Sequence, residues 1–75
     1  MRTEKEVLKD FEKLGYEVKE NTNFDLRLET TYFRIEISKR YKDYTTYYED
    51  SKFHSTINLN EHKLLHELFT IWGWL

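Results

Sequence analysis

The 75-residue chain contains no cysteine and no proline, and it has only two glycines and one methionine. Without cysteine there is no disulfide and no thiolate nucleophile, and the three histidines do not follow a zinc-finger spacing. No apolar run approaches the ~18 residues of a transmembrane helix, and none is typical of a signal peptide. We therefore expect one soluble, cytoplasmic domain over residues 1–75, with no cofactor, no structural metal and no membrane contact.

Charge and glycine content narrow the function classes further. The net charge is −2 and the pI is near 5.9, so general electrostatic binding to nucleic acid or anionic lipid is not expected. The only two glycines fall at predicted helix ends, which leaves no glycine-rich phosphate loop. No serine has an evident base and orienting partner. These observations predict a protein that is not an enzyme.

The first predicted helix has both of its ends marked in the sequence. Thr3 followed three residues later by Glu6 fits a capping box, and an apolar stripe follows at helical spacing. Gly15 can adopt the positive φ that ends a helix, and the aromatic Tyr16 comes directly after it. The pattern predicts a helix from about residue 4 to residue 14.

The second predicted helix lies at the C-terminal end of the sequence. Asn60 is the expected N-cap, with Leu59 and Leu64 placed as a hydrophobic staple. Gly73 is the expected C-terminal stop, and Trp74 is positioned to fold back on Phe69. The apolar residues between these ends form one stripe that faces a core.

Between the helices, the apolar period changes from 3.6 to two. Alternation over residues 16–19, 24–29, 33–38 and 53–59 predicts strands with one apolar face, and turns are expected at residues 21–23 and 30–31. The fold class is therefore α+β, in the order α-β-β-β(-β)-α, with an antiparallel meander and both helices on one sheet face. The predicted shared core is Phe11, Leu14, Phe33, Ile35, Leu68, Phe69 and Trp72.

Residues 38–50 fit the alternation worst, and their tyrosines lie beside cations. The candidate binding residues are Lys39, Arg40, Tyr41, Lys42, Tyr44, Tyr47 and Tyr48. Such a segment can bury tyrosine anchors against a protein, or hold single-stranded nucleic acid by stacking and phosphate contacts. The same residues also suit a plain strand with tyrosines on the sheet surface. All three interpretations remain open from sequence.

His62 and His66 stand four residues apart on the second helix, a spacing that can place two imidazoles on one metal ion. A third ligand would have to come from His54 or from a carboxylate elsewhere. The helical wheel puts both histidines at the margin of the apolar stripe, where partly exposed histidines are ordinary. We expect no stoichiometric zinc site.

The segments EKEVLKDFEKLGYEV and EHKLLHELFTIWGWL, near the two ends of the chain, resemble small uncharacterised proteins of phages and prophages of Gram-positive bacteria. The resemblance implies a small cytoplasmic accessory protein that acts by binding a host or phage macromolecule. We therefore predict a non-enzymatic binding module whose partner is another protein. The alternative is a weak single-stranded nucleic-acid binder that uses residues 39–48, and a homodimer is also compatible with the sequence.

Overall fold

The computed structural model describes residues 2–48 and 58–75. Two helices flank four strands, in the order α1 (Glu4–Lys13), β1 (Glu17–Asn21), β2 (Asp25–Glu29), β3 (Phe33–Ser38), β4 (Asp43–Tyr48) and α2 (Leu59–Ile71). Every strand pairs antiparallel with its neighbour in the chain, which gives the sheet order β1-β2-β3-β4. The predicted α+β meander is confirmed.

The fourth strand comes from the tyrosine-rich segment and not from residues 53–59. Of that predicted strand, residues 53–57 lie outside the described part of the chain, whereas residues 58 and 59 belong to the start of α2. Thr45 and Thr46 lie at the centre of β4 beside its tyrosines, a composition that suits a pleated strand. Strand propensity therefore decided the conformation of this segment, despite its poor apolar alternation.

Both helices begin with a reciprocal cap. The predicted capping box of Thr3 and Glu6 is present in α1. In α2 the predicted N-cap was wrong, because Asn58 and not Asn60 caps the helix. The Asn58 amide accepts a bond from the Glu61 backbone N–H at 3.1 Å and donates one to the Glu61 carboxylate at 2.9 Å. Only Asn58 has a glutamate three residues later, so the staple position predicted for Leu59 is instead an exposed first helical residue.

Both helices end in the predicted way. Gly15 has φ +99° and Gly73 has φ +78°, conformations that other residues rarely adopt. The aromatic residue after each glycine donates its backbone N–H to the carbonyl five residues back: Tyr16 to Phe11 at 3.1 Å and Trp74 to Phe69 at 2.8 Å. The paired rings also touch, with centroids 5.6 Å and 5.0 Å apart. These contacts direct the chain back onto each helix.

The first two hairpin turns share one threonine arrangement. The Thr22 hydroxyl accepts backbone N–H bonds from the residues two and three positions later, at 3.1 and 3.0 Å. Its own backbone N–H donates to the carbonyl three residues later at 2.8 Å. Thr30 repeats all three bonds at 3.2, 2.9 and 2.7 Å. The side chains themselves therefore close both predicted turns.

One apolar core lies between the two helices and a single face of the sheet. Its buried members are Val7, Leu8, Phe11, Tyr16, Leu26, Leu28, Ile35, Ile37, Leu64, Leu65 and Leu68. Phe69 and Trp72 pack against this core while partly buried. Leu14 and Phe33 were wrongly predicted as core, since they are 40% and 37% exposed. Leu14 is the residue after the last helical turn, and Phe33 opens its strand, so both lie at the margin of the packed layer.

Among the residues that the structure describes, no helix has the length and apolar character of a membrane span.

Candidate functional site

The seven candidate binding residues occupy the β3–β4 hairpin but do not form one surface. The hairpin loop comprises residues 39–42, and β4 continues from it. The Ser38 hydroxyl accepts the Tyr41 backbone N–H at 3.2 Å, which shapes the loop. Lys42 adopts φ +56°, the only positive φ of a non-glycine residue in the described part of the chain. This left-handed residue allows the chain to turn directly into β4.

The Lys39 ammonium makes its contacts within the protein. Its ammonium donates to the Asn21 side-chain carbonyl and to the Thr22 backbone carbonyl, both at 2.8 Å. It also lies 5.2 Å from the centre of the Trp72 ring and 4.0 Å from the Glu4 carboxylate. Only 19% of its side chain is exposed. Lys39 therefore ties the first turn to both helices and presents little of its charge to a ligand.

The three strand tyrosines point to different faces. Tyr44 and Tyr48 alternate onto the helix-covered face, where the rings of Phe69 and Phe33 contact them at 5.5 and 5.3 Å. They remain 40% and 46% exposed. Tyr47 lies on the opposite, polar face, with its ring 4.5 Å from the Arg34 guanidinium. A single flat partner therefore cannot contact all three rings.

Five residues lie on the first and third turns or just after them, at the end of the sheet where these two turns meet. We call this surface the turn patch; it consists of Phe24, Arg40, Tyr41, Lys42 and Tyr44. The Arg40 guanidinium lies 5.7 Å from the Phe24 ring centre and 6.0 Å from that of Tyr41. Phe24 is 60% exposed and Tyr41 is 72% exposed. Lys42 and Tyr44 line one depression of about 350 Å³ beside the last residues of the chain.

Phe24 was not predicted as part of a site. The alternation placed it on the apolar side of the second strand, but the structure places it in the turn before β2. The cause is Thr22, whose hydroxyl bonds carry the turn through Phe24 to the first residue of β2. A threonine two residues before the start of the predicted strand was the available signal for this correction.

A backbone hydrogen bond and a set of packed rings support the turn patch. The Lys39 backbone N–H donates to the Phe24 carbonyl at 2.8 Å, which joins the two turns. Beneath Tyr44, the rings of Phe69, Trp74 and Trp72 follow in contact, with Phe69 and Trp74 stacked at 5.0 Å and Trp74 and Trp72 at 4.9 Å. Large exposed rings are thus held on ordered backbone, an arrangement that lowers the entropy cost of binding.

The other ionisable groups considered are the Tyr16 phenol and the histidines of α2. Burial raises the pKa of the Tyr16 phenol, and the neighbouring Glu61 carboxylate raises it further. His62 and His66 are both exposed on α2. Within residues 2–48 and 58–75, no three histidine or carboxylate side chains come together as a metal site. The third imidazole considered from sequence, His54, lies outside the described residues.

No protein-family model, no curated protein and no solved structure matches this chain.

Proposed function

We propose that this protein is a non-enzymatic binding module that holds another protein through the turn patch. The observation that carries the proposal is the grouping of the exposed Phe24 and Tyr41 rings around Arg40 on two joined turns. Aromatic residues and arginine are the side chains most often found at the energetic centre of protein interfaces. The resemblance to phage and prophage proteins favours a host or phage protein as the partner.

The positions of the charges favour a protein over nucleic acid. Lys39 is used internally, so only Arg40 and Lys42 remain as cations of the patch. Asp43 directly follows Lys42, Asp25 directly follows Phe24, and both are exposed. With two phosphate contacts on a single strand, the salt dependence would have a slope of only about −1.4. Nucleic-acid binding at this surface should therefore be weak.

The polar face of the sheet adds to this argument. By strand register, it carries more carboxylates than cations. The carboxylates are Glu17, Glu20, Asp25, Glu29, Glu36 and Asp43, and the cations are Arg27 and Arg34. Lys19 lies at the register irregularity of β1 and joins this face through its ion pair with Glu17. A phosphate backbone that extended beyond the turn patch onto this face would meet like charge.

The test compares capture of proteins by the immobilised chain with capture by two tyrosine variants. Tyr41→Ala removes the most exposed ring of the patch, whereas Tyr32→Ala removes a 55% exposed ring in the turn before β3. From a nuclease-treated lysate of a Gram-positive bacterium, we expect a specific protein to be retained by wild type and by Tyr32→Ala. Tyr41→Ala should weaken its binding about tenfold or more, as loss of an interface anchor does.

The outcomes separate the two hypotheses. Equal capture by both tyrosine variants would contradict a protein contact at the turn patch. Independently, a titration with oligothymidylate at near-physiological salt should show no affinity better than ~10 μM, the scale of non-specific association. Sub-micromolar binding that disappears in an Arg40→Ala, Lys42→Ala double variant would favour the nucleic-acid alternative.

A further inference from the structure

A second surface lies between the helices, at the opposite end of the molecule from the turn patch. There α1 ends and α2 begins, and an open groove of about 850 Å³ separates them. Its apolar part is formed by Leu14, which is 40% exposed, and Leu64, which is 8% exposed. The other lining side chains are all polar or charged: Arg2, Asp10, Lys13, Asn60, His62, Lys63, His66 and Glu67.

Arg2 engages both carboxylates of the groove. Its guanidinium donates to Asp10 on α1 and to both carboxylate oxygens of Glu67 on α2. These contacts raise the pKa of Arg2, and they lower the pKa of Asp10 below its ordinary value. The anionic groups of the groove are therefore committed to contacts within the protein.

The cations of the groove are more available. Lys13 extends from α1 with 80% of its side chain exposed, and its ammonium is 3.6 Å from the nearest Asp10 oxygen. Lys63 is exposed on α2, on the other wall. His62 and His66 line the groove from the same helix. The exposed Leu14, with a small accessible part of Leu64, thus lies between two lysines on opposite walls of the groove.

We propose that this groove binds an amphipathic helix of a partner protein whose apolar face is flanked by carboxylates. The apolar face would cover Leu14 and Leu64, and the carboxylates would lie beside Lys13 and Lys63. The groove lies open between two antiparallel helices, which suits a third helix better than an enclosed small molecule. Because the groove and the turn patch share no residue, this inference goes beyond the proposed function and does not depend on it.

The probe is a labelled synthetic helical peptide with a leucine face flanked by glutamates. Its counterpart has the same leucine face flanked by lysines. The full chain should bind the glutamate peptide, with backbone amide shifts concentrated around Leu14 and Leu64, and should bind the lysine peptide about tenfold more weakly. This mapping uses the unaltered protein, so it does not depend on a variant that folds.

Two double variants then distinguish binding in the groove from a general effect of net charge on peptide binding. Lys13→Glu with Lys63→Glu should weaken glutamate-peptide binding about tenfold or more. Lys5→Glu with Lys9→Glu makes the same change in net charge on exposed positions of α1 that do not line the groove, and it should have little effect. Equal losses in the two variants, equal binding of the two peptides, or amide shifts centred on the turn patch would each overturn the proposal.

Discussion

Replacing Lys39 with Ala should lower stability, although Lys39 is one of the cations that the sequence suggested for binding. The substitution removes hydrogen bonds to Asn21 and Thr22 and the approach to the Trp72 ring. Both acceptors lie at an exposed turn and can regain water, so we take ~0.5–1 kcal/mol for each bond. The cation–π contact adds ~0.5 kcal/mol, which brings the loss to ~1.5–2.5 kcal/mol.

A loss of this size is easy to measure in a small domain. A chain of this length is stable by only ~4–11 kcal/mol in total. For such a domain, each kcal/mol lowers Tm by about 4–8 °C, so Lys39→Ala should melt about 6–20 °C below wild type. Trp72 and Trp74 lie next to the altered contacts, and their fluorescence can follow thermal or urea unfolding.

The neighbouring cations provide matched controls. Arg40 and Lys42 are exposed and lie in the same loop. Lys42→Ala should change stability by less than ~0.5 kcal/mol, as surface substitutions usually do. Arg40→Ala should cost less than ~1 kcal/mol, because it also loses two exposed ring contacts. If Lys39→Ala melts at the same temperature as these two variants, the argument that Lys39 ties the turns and helices together is wrong.

Two further predictions concern the core and the interhelical ion pairs. Leu68→Ala should lower the free energy of unfolding, measured by urea denaturation, by ~2–5 kcal/mol because Leu68 is fully buried. Leu14→Ala should lower it by less than ~1 kcal/mol because Leu14 is 40% exposed. Similar losses in the two variants would contradict the assigned core. The pKa of Asp10 is lower in the folded state than its ordinary value of 3.8. Its ionised form therefore stabilises the fold at neutral pH, and this stabilisation is lost as the pH falls through 3.8 toward the lower pKa of the folded state. The urea midpoint should therefore fall less between neutral pH and pH ~3 in Arg2→Ala than in wild type, whereas Lys5→Ala should show the same fall as wild type. If Arg2→Ala shows the full wild-type fall, the assigned ion pair is wrong.

Local signals explain why the helix ends were predictable. Thr3, Gly15 and Gly73 act through bonds to backbone groups within five residues, so their pattern can be read without the rest of the fold. The N-cap of α2 was misplaced because two asparagines, Asn58 and Asn60, stand near the same helix start. Only the requirement for a reciprocal partner at Glu61 distinguishes them.

The candidate site was predicted only in part, because spatial neighbours from other elements decide what each residue does. All three loop cations, Lys39, Arg40 and Lys42, carry a positive charge. Only Lys39 is hydrogen-bonded to the first turn and lies over the Trp72 ring. Phe24 joins the turn patch through Arg40, which is 16 residues away in the chain. The period of a strand does not contain this information.

By itself, the sequence determined the α+β class, both helix stops and the two threonine turns, because these depend on short-range hydrogen bonding and on apolar periodicity. Only the tertiary structure decided which of the tyrosines and cations are available for contact. It divided the tyrosines of β4 between two faces, drew Lys39 into the fold, and left Leu14 on the rim of an open groove. The physical reason is that exposure depends on what packs opposite a side chain, and that neighbour comes from a distant part of the chain.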